Sequence, residues 1–403
     1  MTSSPNLRTI LDQEAPSSSS FMRPPGLGVS QSLETVQWDF AENPTRDSIH
    51  DLHSYPARFI PQIPRELIRL FHPGDQSAVL DPFCGCGTTL VEAVGAGIPA
   101  VGLDLNPLAV LISKVKTTPL SAPLVPLAQA VVQGRHDHLI EIPKIPRLDH
   151  WFKPPIQRAL AVLASGIKSI PDPISKDALR VAMSRIVVRV SNQDSDTRYA
   201  AIEKNVGEED VYELFLKAAL IVESAIDQTY GGLFTSVPRV EVRHENVLTL
   251  TASSLSQPIG LVVTSPPYPN AYEYWLYHKY RMYWLGMDPI ALRSNEIGAR
   301  PHYFKKNPQT EIHFEQQMTS VFRLLSGLLD RGRFACFVVG RSIIHGRLIN
   351  NVELLTRAAE SSGFALAGTV TRTIARNRKS FNLSHAGITE ETIAVFELRR
   401  STK

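Results

Sequence analysis

The stretch from Ser77 to Asp104, SAVLDPFCGCGTTLVEAVGAGIPAVGLD, decides how this chain folds. Ser77 to Asp81 is a short apolar run that ends on an acid, the pattern of a strand buried on both faces. Pro82 to Gly87 is a glycine-rich turn, and Thr88 to Gly97 reads as a helix stopped by glycine. Pro99 to Asp104 is a second apolar run, again ending on an acid. Strand, turn, helix and strand make a βαβ unit, whose crossover is right-handed almost without exception. An open α/β sheet built this way binds its ligand at the carboxyl ends of its strands.

Outward from this unit the pattern changes. The first 35 residues, with a serine run at Ser17 to Ser20 and Pro24-Pro25-Gly26, carry little to bury and are expected to be a disordered tail. Order is expected to begin near Val36 to Phe40, and Pro61 to Phe71 reads as an amphipathic helix. Residues 36–116 then form the first part of the sheet domain. Residues 117–237 read as a mainly helical insertion, with segments at 155–167, 176–189 and 208–229 between proline-rich connections. Residues 238–403 return to the sheet, with strands at 240–242, 261–263 and 334–339, helices at 311–330 and 351–362, and a closing strand pair at 365–371 and 392–398. The fold class is α/β.

Composition sets wide bounds. In 403 residues, 43% are hydrophobic and 20% charged, the balance of an ordinary globular protein. No apolar stretch approaches the ~18 residues of a membrane span, and no basic-then-apolar start suggests a signal peptide. Three cysteines, Cys84, Cys86 and Cys336, cannot build a disulfide framework and lack zinc spacing, so a cytoplasmic setting with no metal is expected. The formal net charge of +3 permits a polyanionic partner without requiring one.

The chemistry sits in two turns. In the first, Gly85 and Gly87 let the backbone approach a ligand, and the amides opening the following helix favour an anionic group. Asp104, 17 residues after Gly87, ends the next strand, where a carboxylate can accept ribose hydroxyls. On spacing alone this fits any nucleoside site, and a purely structural turn fits as well. The second turn is Ser265-Pro266-Pro267-Tyr268, directly after the apolar run at 261–263. Its prolines fix φ and remove two donors, leaving carbonyls free to accept.

The words of both motifs carry a resemblance. DPFCGCGTT at Asp81 to Thr89 closely resembles the DPFCGSGTT signature of amino-directed DNA methyltransferases, with Cys86 in place of the usual serine. Ser265 to Tyr268 resembles the SPPY turn of the same family, whose members mostly make N4-methylcytosine. His53 to Gln62 resembles the segment that packs over the methionine end of the family's cofactor. The order of the three matches members whose cofactor motif precedes the catalytic one. The resemblance implies a Rossmann-like class I fold dependent on S-adenosylmethionine. It implies cofactor contacts from Tyr55, Phe59, Asp81, Phe83, Gly85, Gly87, Thr88, Asp104, Asn106 and, where the family often has an acid, Asn246. Asn246 reads equally well as a turn cap.

The resemblance further implies double-stranded DNA as substrate and a flipped base as target, with a restriction or other defence protein as a partner. No Pro-Cys pair occurs, so the covalent route of C5-cytosine methylation is not available. Tyr268 would stack on the extruded base, while the Ser265 hydroxyl and the Pro266 carbonyl accept its amino hydrogens, with Pro267 holding the turn rigid. Adenine N6 remains open, since N6 enzymes more often carry Asp or Asn at the position of Ser265. Methylation of RNA, or a non-catalytic cofactor- and DNA-binding subunit, also remains open.

Further nucleic-acid candidates are Tyr272, within the aromatic and cationic run Tyr272 to Arg281, and Arg198, in the polar stretch that follows Arg185 and Arg189. Arg372, Arg376, Arg378 and Lys379 stand in the loop of the last strand pair. Each competes with a packing or solvated-surface reading.

Overall fold

Ala78–Asp81 (β1) is buried along its whole length, as the apolar run requires, and is an interior strand of the sheet. The computed structural model describes residues 27–40, 49–136, 140–196, 198, 200–231, 237–270, 272–374 and 389–400. β1 pairs in parallel with Ala100–Asp104 (β2) on one side and with Ile259–Thr264 (β4) on the other. Val240–His244 (β3) lies outside β2, and Phe334–Gly340 (β5) outside β4, both parallel. Glu390–Leu398 (β9) runs antiparallel to β5 and carries Phe364–Thr373 (β8) at the far edge. The seven-stranded order is therefore β3-β2-β1-β4-β5-β9-β8. A separate hairpin, Ser342–Ile344 (β6) with Arg347–Ile349 (β7), lies beside the sheet's carboxyl edge. The chain runs outward from β1 to β2 and β3, then crosses back to β4 on the other side of β1 and runs outward again to β5. That reversal opens a crevice at the strand ends.

Order begins earlier than the sequence reading has it. Val29–Glu34 form a helix (α1) whose Val29, Ser32 and Leu33 are buried, an i, i+3, i+4 set that the serine- and proline-rich context obscures. α1 packs on β8. Trp38 seals it by donating its indole N–H to the Leu33 carbonyl at 2.7 Å.

Gln62–Phe71 (α2) and Thr88–Gly95 (α3) follow in the expected places, and Pro107–Lys116 (α4) adds a helix after β2 that the sequence reading did not name. Between β2 and β3 the long elements are all helical: Leu124–Gln133 (α5), Pro154–Lys168 (α6), Pro173–Val190 (α7) and Glu208–Tyr230 (α8). They share one continuous apolar cluster with α4 and with Tyr274–Trp284 (α9), so this segment packs onto those helices rather than onto the strands themselves. Glu311–Leu328 (α10) and Asn351–Glu360 (α11) cover the β5, β9 and β8 half.

Candidate active site

A cleft opens at the carboxyl ends of β1, β2 and β4, where an open α/β sheet binds its ligand. Of the residues expected to hold a cofactor, Tyr55, Phe59, Phe83, Gly85, Thr88, Asp104, Asn106 and Asn246 line it, together with Ser265 and Pro267 of the second turn.

The first turn is held from below. Asp81 is 1% exposed. It accepts hydrogen bonds from the Thr264 hydroxyl at 2.6 Å, the Thr89 hydroxyl at 2.7 Å and the Phe83 amide at 3.1 Å. Burial outweighs these donors and pushes its carboxyl up to about 6. Asp81 does not line the cleft; it ties the two turns together beneath it. Gly87 is likewise structural. At φ 81° a Cβ would lie 2.9 Å from Ser113 Oγ and 3.1 Å from its Cα, so glycine lets α3 approach α4.

Asp104 faces the cleft. Its two carboxylate oxygens accept the Gly85 and Asn106 amides, each at 2.8 Å, which fixes the plane of the group and leaves a further lone pair on each oxygen. Burial raises it too, to about 6. Asn106 uses Oδ1 to cap α4, and its buried Nδ2 has no hydrogen-bond partner among the described residues. Asn246 caps a short turn through its Oδ1, at 3.0 Å from the Leu248 amide, while lining the cleft; both readings of that residue are realised in the geometry.

The segment before α2 forms the cleft's roof. Lys116 Nζ, buried, donates to the His50 carbonyl at 2.9 Å. The His50 ring meets Glu92 of α3 at 2.8 Å, and Arg65 holds the other oxygen of Glu92 at 2.7 Å. Arg58 pairs with Asp51. These ties place Tyr55 over Gly85, where a Cβ would meet the Tyr55 ring at 3.3 Å. The Tyr55 ring stacks between Tyr274 at 5.9 Å and His278 at 4.9 Å.

The second turn sits on β5. The Ser265 hydroxyl donates to the Val338 carbonyl at 3.1 Å, and Tyr268 Oη lies 3.3 Å from Ser265 Oγ and 3.4 Å from the same carbonyl. With its proton committed to Val338, Ser265 Oγ presents lone pairs to the cleft. Pro266 is buried. Neither it nor Tyr268 is part of the cleft lining, and the Tyr268 ring packs against the core beneath β5. Gly298 locks the arrangement. At φ 72° its Cβ would lie 2.3 Å from the Tyr268 carbonyl oxygen, a position only glycine can take.

The nucleic-acid candidates separate. Tyr272 is half-buried and tilts against Tyr274 and Tyr277, both at 6.1 Å. Most of the run behind it is core: Trp275, His278, Tyr280, Arg281 and Trp284 are buried. Arg281 pairs with Asp196 and donates to the Ser184 carbonyl. Arg198 is exposed and pairs with Asp194 at 3.4 Å. Arg185 is tied to the Leu52 carbonyl. Arg372 is not in a loop: it lies in β8, 4% exposed, paired with Glu391 at 2.8 Å and donating to the Trp38 carbonyl. Its charge is consumed inside the protein. Arg376, Arg378 and Lys379 fall outside the described residues.

Sequence reasoning missed Leu292, Asn295, Glu296 and Ile297, which line the cleft from the loop after α9. Their only signal is proximity in sequence to the second turn.

Sheet order, glycine turn and cleft define a Rossmann-like class I methyltransferase fold, and the lining fits S-adenosylmethionine. Asp104 suits the ribose, the orphaned Nδ2 of Asn106 supplies a buried donor, and the ring of Tyr55, Phe59 and Phe83 suits a sulfonium with a short aliphatic chain. The chain is 29% identical over 252 residues to the type II methyltransferase M.MvaI of Kocuria varians, covering 58% of this chain and 56% of that protein. It is 38% identical over 87 residues to M.MjaII of Methanocaldococcus jannaschii, covering 20% of this chain and 16% of that one. It thus spans just over half the length of the first relative and far less of the second. No family model matches. Solved structures align loosely. An rRNA methyltransferase, aviRa of Streptomyces viridochromogenes, gives 13% identity over 86% of this chain and 88% of its own, TM-score 0.33. A TehB-like S-adenosylmethionine-dependent methyltransferase of Corynebacterium glutamicum gives 10% over 80% and 81%, TM-score 0.28. The fold assignment therefore rests on the strand order.

Proposed function

We propose that this protein is a site-specific DNA methyltransferase that modifies the exocyclic N4 of a flipped cytosine. The observation that carries the reading is the commitment of the Ser265 hydroxyl proton to Val338 O, 3.1 Å away. An amino group of a base has two hydrogens to give, and a serine that donates to Val338 has lone pairs left to accept one of them. Ser265 Oγ and the Pro266 carbonyl take those hydrogens and turn the nitrogen lone pair out of ring conjugation. When bound, the cofactor supplies a methyl group on a positive sulfur. As the new C–N bond forms, the carbon–sulfur bond breaks and the amine's proton leaves to solvent, so no strong base is needed. Positioning supplies most of the acceleration. The Tyr272 ring borders the base, while Tyr268, packed on the core, supports the turn from beneath rather than stacking on the base as the sequence suggested. Arg198, Arg376, Arg378 and Lys379 are the basic residues that this reading assigns to the DNA backbone.

The similarity to two type II methyltransferases supports DNA as the substrate class. A restriction or other defence activity is the partner that this reading favours. Among the described residues no helix is long and apolar enough to cross a membrane. The test is incubation of the protein with labelled S-adenosylmethionine and plasmid DNA, followed by digestion to nucleosides. Label in N4-methyldeoxycytidine is the expected result. Label in N6-methyldeoxyadenosine moves the target base, and unlabelled DNA with labelled RNA in a parallel reaction moves the substrate.

A further inference from the structure

Glu296 stands in the loop between α9 and α10 and is 8% exposed. It lines the cleft with Asp104, Tyr274, Ser265 and Pro267. One oxygen, Oε1, accepts the Trp275 amide at 2.5 Å. The other, Oε2, is buried and finds no partner of good hydrogen-bond geometry among the described residues, although the Tyr274 amide also favours the ionised carboxyl. The loop cannot drift away from the site, because Gly298, two residues on, is pressed against the Tyr268 carbonyl.

The other buried acids at this end of the sheet are already used on both oxygens. Asp81 is held by Thr264, Thr89 and the Phe83 amide, and Asp104 by the Gly85 and Asn106 amides. A buried carboxyl oxygen with no partner costs free energy until a ligand supplies one. The cofactor that fits this cleft carries one group that demands a carboxylate, the ammonium of its amino-acid end. We infer that Glu296 Oε2 receives that α-ammonium and makes the site select the complete amino-acid cofactor over truncated thioether nucleosides. The inference rests on the S-adenosylmethionine fit described above.

Electrostatics agree with the geometry. The charged groups that act most strongly on Glu296 are acids, Glu273 at the start of α9 and Asp104 at the end of β2. Burial first, then these two, push its carboxyl up to about 8. The Tyr274 hydroxyl, itself raised chiefly by burial, stays neutral beside them. The cations Arg293, Arg300 and His302 act on Glu273. Without cofactor, Glu296 is therefore mostly protonated at neutral pH. An arriving ammonium favours the ionised form, and the proton leaves to solvent.

Titration calorimetry of the whole protein, in buffers of different ionisation enthalpy, reads this directly. Between pH 6 and 6.5 the free ligand's ammonium, with a pKa of about 7.7–8.0, stays almost fully charged. Binding of S-adenosylmethionine or S-adenosylhomocysteine should then release close to one proton. Glu296→Gln keeps an acceptor for the Trp275 amide. It should weaken both ligands at least tenfold and abolish the proton release, while 5′-methylthioadenosine, which lacks the amino acid, binds within twofold of wild type. The inference is overturned if Glu296→Gln binds S-adenosylmethionine as tightly as wild type. It is also overturned if 5′-methylthioadenosine weakens equally, or if only kcat falls, which would place Glu296 on the base. A wild-type protein that binds none of the three ligands overturns the cofactor fit itself, and this inference with it.

Discussion

The Thr264 hydroxyl donates to Asp81 Oδ1 across 2.6 Å, joining the last residue of β4 to the last residue of β1. The two are 183 residues apart in the chain, and each begins one of the two turns that form the cleft. Asp81, the first acid of the glycine-turn motif, thus acts as the joint between the cofactor side and the catalytic side.

Thr264→Val removes that donor while keeping shape. Leaving a buried carboxylate one bond short costs about 1–3 kcal/mol. Burial raises Asp81 to about 6 in the folded protein, above its unfolded value, so its contribution favours the fold at low pH and is lost as pH rises through 6. The variant's deficit in Tm should therefore be larger at pH 7.5 than at pH 5, and Thr264→Ser should restore most of it. A deficit independent of pH would show that Asp81 does not titrate in this range.

Ser265→Ala keeps the proline turn and removes the acceptor. If Ser265 holds an amino hydrogen in the transition state, single-turnover methylation should slow about 10²–10³-fold. The dissociation constant for S-adenosylmethionine should stay within about twofold, because the lost contact is to the base. A slowdown below threefold would remove Ser265 from the reaction.

Gly298 and Gly286 both have φ near 70°, at 72° and 71°. A Cβ at Gly286 meets nothing within 4 Å, whereas one at Gly298 collides with the Tyr268 carbonyl. Gly286→Ala should cost about 1 kcal/mol through backbone strain alone. Gly298→Ala should cost clearly more in thermal unfolding and should also cut methylation, because the catalytic turn must shift. Equal effects from the two variants would contradict the packing described for the 296–298 loop.

Arg281→Met separates core from DNA contact. Burial would raise Asp196, but the Arg281 guanidinium outweighs it and holds the carboxyl below the usual range. A depressed acid stabilises the fold above its unfolded pKa, and that stability fades as pH falls through the folded value. Asp196 is 30% exposed, so losing its partner should cost about 2–3 kcal/mol at pH 7. The penalty should shrink below pH 4. The salt dependence of DNA binding should not change, whereas a phosphate contact would reduce its slope by about one.

Much of the fold was legible because short apolar runs ending on acids can hardly be read otherwise. β1, β2, β4 and β5 and the seven helices read from the sequence lie within a few residues of their expected places, whereas α4, α5 and α9 were not read in advance. The start of the ordered chain was not, since α1 has only three buried residues and depends on β8 for its stability. Among site residues, those whose types have a local signature, Gly85, Asp104 and Ser265, line the cleft. Glu296 has no such signature, because a glutamate in a polar loop looks solvated until the fold buries it. Arg372 misled for the opposite reason: basic residues close in sequence suggest a patch, yet strand alternation turns this one inward to Glu391.

The sequence alone determined the βαβ unit, the two turns and their order, because apolar periodicity and the φ demands of glycine and proline are local properties. Only the tertiary structure decided which polar groups are already satisfied. It committed Ser265's proton to Val338, spent both oxygens of Asp81 and Asp104 on the chain, and left one oxygen of Glu296 without a well-placed partner among the described residues. Hydrogen-bond saturation depends on groups brought together from distant parts of the chain, and no reading of neighbours in sequence contains it.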